Sequence, residues 1–165
     1  MLTASAMANY EHAIQSAVVL TLFIPLIISS GGNSGSQAST LVIRALAIGE
    51  IRLRDWFKVF QREVMTGLSL GLILGVIGLL RVVIWAQFSP IYGEHWIALA
   101  FTVFFSLTAV VTLGSTAGAM LPFLLKSCRL DPATSSAPFV ATIVDVAGLV
   151  IYFTVAMSLF SGLGQ

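Results

Sequence analysis

Residues 64–88 read VMTGLSLGLILGVIGLLRVVIWAQF and carry a single charged side chain, Arg81. A helix needs roughly 20 mostly apolar residues, at about 1.5 Å rise each, to cross the hydrocarbon core of a bilayer. This stretch is long enough to do so, and two more of the same kind follow at 96–125 and 137–161. The sequence therefore predicts an all-α fold, a polytopic bundle of membrane helices.

The composition of the whole chain agrees with this prediction. Of its 165 residues, 58% are hydrophobic and 9% are charged, whereas a soluble domain usually has about 25% charged residues. A formal net charge of +1 lacks the clustered excess of Lys and Arg that a nucleic-acid partner requires, so that class of partner is excluded. The single cysteine, Cys128, excludes an intrachain disulfide and a cysteine metal cluster.

The region before residue 50 differs from the three clear spans. An apolar stretch that ends near Ser30 runs into the polar string GGNSGSQAST at 31–40, and a second apolar piece follows. We interpret residues 13–49 as one long, interrupted pore helix, because exposed backbone and polar groups are tolerated at membrane depth only where protein or cavity water satisfies them. Residues 1–12 are too few to span, and we expect an outer segment or the remnant of a first helix.

The distribution of Lys and Arg predicts the orientation, since these residues favour the cytoplasmic side. The connection between the first and second crossings contains Arg44, Arg52, Arg54, Lys58 and Arg62. The connection between the third and fourth crossings contains Lys126 and Arg129. The connection at 87–95 contains neither residue type, so we expect the C-terminus outside. Residues 50–63 mix apolar and charged side chains, which predicts a helix at the cytoplasmic interface.

Asp145 is the first candidate for a functional residue. It lies inside the apolar span PFVATIVDVAGLVIY at 138–152, with no basic residue within two turns. A carboxylate in hydrocarbon costs at least a few kcal/mol, so such acids normally mark ion or proton routes. Eight residues from Ala137 at about 1.5 Å each place Asp145 roughly 12 Å deep, close to the midplane. We expect an ion site there, and the alternative is a protonated, hydrogen-bonded packing residue.

The polar string supplies neutral oxygen atoms, which suit a hard, hydrated cation. They come from Asn33, Ser36 and Gln37, while the glycines permit close helix approach or bare carbonyls. The string is therefore predicted to form a pore wall, with helix packing by small residues as the alternative. A nucleotide loop is not indicated, because the Lys-Ser/Thr pair of a phosphate-binding loop is missing after the final glycine.

Glycines also recur every four residues on two of the predicted spans. They are Gly67, Gly71 and Gly75 on one span and Gly114 and Gly118 on the next. Small residues at this spacing let helices approach closely, so we assign these glycines to packing.

Two motifs carry a resemblance to a known family. The first is PLIISSGGNSGSQ at 25–37 followed by RALAIGEI at 44–51. The second comprises DPA at 131–133, PF at 138–139 and DVAGLVIY at 145–152. The first resembles the second membrane helix of MgtE magnesium channels, and the second resembles that family's last membrane helix. The motifs occur in the family's order and at about its spacing, and together they cover most of the chain.

The resemblance implies a homodimer with five membrane helices per subunit, in which the second and fifth helices of each subunit line one central pore. It implies that a hydrated Mg²⁺ ion is held by the paired carboxylates of Asp145, with Mn²⁺ and Co²⁺ as further candidates. Backbone carbonyls of Ala141 and Gly148 are then candidates to accept hydrogen bonds from the ion's waters. The candidates for lining the pore are Pro25, Gly32, Asn33, Ser36 and Gln37.

We therefore expect an integral protein of the prokaryotic plasma (inner) membrane that is a magnesium channel and not an enzyme. No nucleophile and base pair, and no His/Cys/Glu metal cluster, lies within the predicted crossings. Two other functions stay open: a Na⁺- or H⁺-coupled divalent cation exchanger, and a non-conducting membrane scaffold subunit. Many family members carry an acidic N-terminal domain and a CBS pair; we expect residues 1–165 to form a single transmembrane domain without them.

Overall fold

A computed structural model of the chain describes residues 18–93 and 95–161, and the regular structure in these ranges is helical throughout. The α-helices are α1 (Ile24–Ala47), α2 (Trp56–Phe88), α3 (Trp96–Ser127) and α4 (Pro132–Ser161). Four helical stretches are long and apolar enough to cross a membrane, namely Val19–Ala47, Leu53–Phe88, Trp96–Ser127 and Phe139–Phe160, which confirms the predicted bundle of membrane helices. The predicted outer segment at 1–12 lies outside the described residues.

Helix α1 passes through the glycine string without an interruption, which differs from our prediction. Its helical geometry changes earlier, from a 3-10 helix over Val18–Phe23 to an α-helix at Ile24. Pro25 fits this first turn because its missing N–H would have no partner there anyway. Glycine in a helix costs about 1 kcal/mol relative to alanine, but Gly31 and Gly35 are buried against α3. Packing therefore outweighs the weak helix propensity of the string.

Helix α2 contains most of the segment that we predicted as a separate interfacial helix. A 3-10 turn over Leu53–Asp55 leads into α2, and residues 56–63 form its first turns with no break before the membrane span. The carboxylate of Asp55 accepts a hydrogen bond of 2.8 Å from the backbone N–H of Arg52, which fixes this start. Residues 56–63 include no Gly or Pro, so nothing in the sequence ends the helix at the membrane surface.

Helix α3 is central, because α1, α2 and α4 all pack on it, and α1 and α4 also pack on each other. The glycine faces allow backbone-level contact. A Cβ atom added to Gly71 would lie 2.9 Å from the Cα atom of Thr108. One added to Gly118 would overlap the carbonyl oxygen of Gly35. These contacts confirm the predicted packing role of the glycines on α2 and α3.

A buried tyrosine connects α4 to the chain that leads into α1. The hydroxyl of Tyr152 donates a hydrogen bond of 2.8 Å to the carbonyl oxygen of Leu20. Both residues are almost fully buried, where a polar group without a partner would cost about 1–3 kcal/mol. The bond therefore fixes the beginning of α1 relative to α4.

Candidate functional site

Asp145 lies in the middle part of α4, at the side where α4 meets α1, and is half-buried. Gly32 of α1 lies close to it, since a Cβ atom added to Gly32 would lie 3.9 Å from Oδ1 of Asp145. The adjacent Val144 is fully buried in the core, so the helix turns the next side chain towards the edge of that core. The structure thus brings together the two motifs that the sequence predicted to line one pore.

One face of α1 carries a row of polar side chains, which we call the polar stripe: Ser29, Asn33, Ser36, Gln37 and Thr40. Their spacing of three and four residues places them along one side of a helix. Ser36 is half-buried and the other members are exposed. Pro25 is also exposed and lies four residues before Ser29, on the same side.

The hydrogen bonds within the stripe leave many of its donors and acceptors without a partner in the stripe. The Asn33 amide donates to the hydroxyl of Ser29 at 3.2 Å, and the Thr40 hydroxyl donates to the carbonyl oxygen of Ser36 at 2.8 Å. Within residues 18–93 and 95–161, the amide of Gln37 has no hydrogen-bonding partner. An asparagine or glutamine amide offers both donors and an acceptor, so the stripe can bind water or a hydrated ion.

The opposite face of α1 is a packing face. Gly31, Ser34, Gly35 and Ala38 are buried, and a Cβ atom on Gly31 would lie 2.5 Å from Cγ1 of Val110. The packing interpretation of the glycine string therefore holds for part of it, and the pore wall stays a prediction for the rest. Gly31 and Gly35 pack against the bundle, whereas Gly32 and the polar stripe face away from it.

The two further residues that we predicted around the ion lie one turn before and about one turn after Asp145. Ala141 is half-buried, and Gly148 is buried at a point where an added Cβ atom would lie 3.2 Å from Cγ1 of Val110. A helical carbonyl keeps a second lone pair after its backbone bond. The assignment of their carbonyls to the waters of an ion stays a prediction.

Metal binding by a preformed cluster is not supported by the described part of the chain, which contains no group of three or more His, Cys, Asp or Glu side chains able to hold an ion. Asp145 would have to act with groups from outside this bundle, or through water.

The sequence analysis did not predict the hydrogen bond from Tyr152 to Leu20. The phenol of Tyr152 lies in an apolar span, where a buried hydroxyl usually finds a hydrogen-bond partner, so this signal was available.

Comparison with known proteins gives consistent matches. The model of a family described as a divalent cation transporter, MgtE, matches residues 24–155, a range that includes Asp145 and the polar stripe. The chain is 39% identical over 156 residues to the magnesium transporter MgtE of Thermus thermophilus, which covers 94% of this chain and 33% of the relative.

Two further relatives carry the same name, magnesium transporter MgtE. The protein from Enterococcus faecalis is 31% identical over 156 residues, covering 94% of this chain and 33% of the relative. The protein from Bacillus subtilis is 28% identical over 163 residues, covering 99% and 34%. The chain therefore spans about a third of the length of the curated relatives that it matches.

Proposed function

This chain belongs to the MgtE family of divalent cation transporters, and from that premise we propose that it is a magnesium channel. In this proposal, a hydrated Mg²⁺ ion passes through a pore at the twofold axis of a homodimer, with the two Asp145 carboxylates as the selective site. The observation that carries the proposal is that Asp145 lies beside Gly32, next to the polar stripe of α1.

This face of the bundle is too polar to lie against lipid tails. It presents a carboxylate and a row of exposed hydroxyls and amides within helices that are otherwise apolar. Polar groups in hydrocarbon without partners cost several kcal/mol, so such groups face protein or a water-filled path. A second copy of the chain, related by a twofold axis, would cover the face and enclose water between the copies.

Twofold symmetry also supplies the second carboxylate. One carboxylate does not neutralise a divalent cation, and Mg²⁺ holds an octahedral shell of waters at about 2.0 Å that it gives up reluctantly. Two Asp145 side chains that face each other would balance the charge, accept hydrogen bonds from the waters and repel anions. Asn33 and Gln37 would bind the waters of the ion elsewhere along the pore.

The orientation follows from the basic residues of the connections. We propose that the α1–α2 and α3–α4 connections, with Arg52, Arg54, Lys126 and Arg129, lie on the cytoplasmic side of a prokaryotic plasma membrane. The C-terminus would then lie outside, and the pore would run from the region of Pro25 outside to the end of α1 inside.

The function is tested by Mg²⁺ flux into sealed vesicles that contain the purified protein. We expect uptake that follows the Mg²⁺ gradient alone and is unchanged when Na⁺ and proton gradients are absent. Uptake that requires a Na⁺ or proton gradient would replace the channel with a coupled exchanger. Vesicles with correctly inserted protein and no flux under any gradient would favour a scaffold. Mn²⁺ and Co²⁺ as competing ions measure the selectivity.

The dimer is tested by cysteine cross-linking in membranes, in a background where the single native thiol is removed by Cys128→Ser. Asn33→Cys should cross-link to its copy with a short bifunctional maleimide, because the polar stripes face each other across water. Ile77→Cys is the matched control, since Ile77 lies exposed on α2, a helix that does not line the proposed pore. A monomeric mass and no cross-linking from position 33 would contradict the shared pore.

A further inference from the structure

An apolar groove of about 620 Å³ opens between the start of α2 and the facing surfaces of α3 and α4. Its walls include Leu53, Trp56 and Phe60 on one side and Met120, Leu124 and Ile143 on the other. Asp145 and the polar stripe do not contribute to it, so the groove is distinct from the proposed pore. Trp56, which lines the groove, is 51% exposed, so the described chain leaves about half of its surface uncovered.

The groove has the length of one lipid leaflet. On α3 it extends from Ser127, at the end of the helix, to Ala117. Ten residues at about 1.5 Å each give roughly 15 Å, which is half of the ~30 Å hydrocarbon core of a bilayer. If Ser127 lies at the membrane surface, the groove reaches to about the midplane.

Two arginines lie close in the chain to Leu53 and Ser127, the residues that line one end of the groove. Arg54 directly follows Leu53, and Arg129 lies two residues after Ser127 in the turn between α3 and α4, with a φ of 60°. Both side chains are exposed, and neither makes an ion pair within the described part of the chain. The neighbouring Lys126 differs, because its Nζ donates to the carbonyl oxygen of Leu46 at 3.3 Å.

We propose that this groove binds one anionic phospholipid, with an acyl chain along the apolar walls and the phosphate at Arg54 and Arg129. The chemistry is complementary at both ends: the walls match a hydrocarbon chain, and the two unpaired guanidinium groups match a headgroup of net negative charge. A zwitterionic lipid would fill the groove equally well but would gain less from the arginines. The bound lipid would bridge α2, α3 and α4 whether or not the protein conducts ions.

Trp56 makes the proposal measurable, because it lies in the groove while the other tryptophans, Trp85 and Trp96, lie at the opposite ends of α2 and α3. The full chain with Trp85→Phe and Trp96→Phe is placed in phosphatidylcholine vesicles that contain phosphatidylglycerol. In one set of vesicles the phosphatidylglycerol carries brominated acyl chains. In the other set the same molar amount of the phosphatidylcholine is brominated instead, so that both sets contain equal amounts of brominated lipid. Bromine quenches tryptophan fluorescence at close contact, so the two sets compare the lipids at the groove.

We expect brominated phosphatidylglycerol to quench Trp56 more strongly than its share of the lipid predicts. The double change Arg54→Gln and Arg129→Gln should remove this preference, with a loss of roughly fivefold in relative affinity per arginine. The matched control is Lys58→Gln with Arg62→Gln, which removes the same charge. Both control residues lie within α2, further along the helix than the end of the groove that Leu53 and Ser127 mark, and neither lines the groove.

Each other outcome overturns the proposal. Equal quenching by the two brominated lipids would show that the groove binds lipids without a preference for an anionic headgroup. Absence of quenching in both sets would show that protein, either another part of this chain or a second copy, covers Trp56. An equal loss of preference in both double variants would reduce the effect to general attraction between a basic surface and an anionic membrane, which high salt would screen.

Discussion

Asparagine in place of Asp145 is expected to abolish Mg²⁺ flux and to weaken Mg²⁺ binding at least a hundredfold, about 2.7 kcal/mol, while the dimer still forms. The amide keeps the size of the side chain and its capacity for hydrogen bonds but removes the charge. At an outer-sphere distance of about 4.5 Å and an effective dielectric near 20, each carboxylate attracts a divalent ion by roughly 7 kcal/mol before desolvation. Even a small net share of that energy exceeds what amide dipoles supply.

Titration calorimetry and vesicle flux at neutral pH measure the effect of this change on binding and conduction. Glu50→Gln is the matched control, because it removes one negative charge from an exposed residue in the α1–α2 connection. We expect the control to bind and conduct as the wild type does. Binding and flux at wild-type levels in Asp145→Asn would show that Asp145 is a neutral packing residue, and the ion site would have to be sought elsewhere.

The helices of the fold could be predicted because a bilayer imposes a simple length and composition on each span. The predicted spans at 64–88, 96–125 and 137–161 fall within α2, α3 and α4. The predicted ends at 64, 125 and 137 fall inside longer helices, since the hydropathy pattern marks where the membrane ends and not where the helix ends. Helix α4 begins at Pro132, a residue that suits a first helical turn, before the apolar sequence starts.

The candidate residues could be chosen from the sequence, but their arrangement in space could not. A carboxylate such as that of Asp145 stands out in any apolar span, whereas nothing in the sequence shows that Gly32 lies beside it. The division of the glycine string into a packing face and an open face depends on where α3 lies. The hydrogen bond from Tyr152 to Leu20 joins residues 132 positions apart, and a contact at that separation leaves no trace in a local pattern.

The second prediction compares leucine substitutions at Gly32, on the open face of α1, and at Gly35, on its packing face. Gly32→Leu should block Mg²⁺ flux and leave the dimer folded, because a side chain there enters the open face beside Asp145. Apart from the backbone of its own helix, the added Cβ atom meets only Oδ1 of Asp145 within 4 Å, at 3.9 Å. Gly35→Leu should prevent stable folding. Its Cβ atom would lie 2.5 Å from Cγ1 of Val140 and 2.9 Å from the carbonyl oxygen of Gly114, and a backbone atom cannot move aside as a flexible side chain can.

Size-exclusion profiles and melting temperatures in detergent measure the fold, and vesicle flux measures conduction for the variants that survive. Extra volume in a packed core costs about 1–3 kcal/mol when neighbours can adjust, so Gly35→Leu should exceed that range because α1 and α3 would have to separate. The same leucine at either position rules out a general effect of helix propensity, which would raise the stability of both variants. A Gly32→Leu channel that conducts normally would place the pore away from α1, and a stable Gly35→Leu protein would mean that α1 and α3 are not in backbone contact.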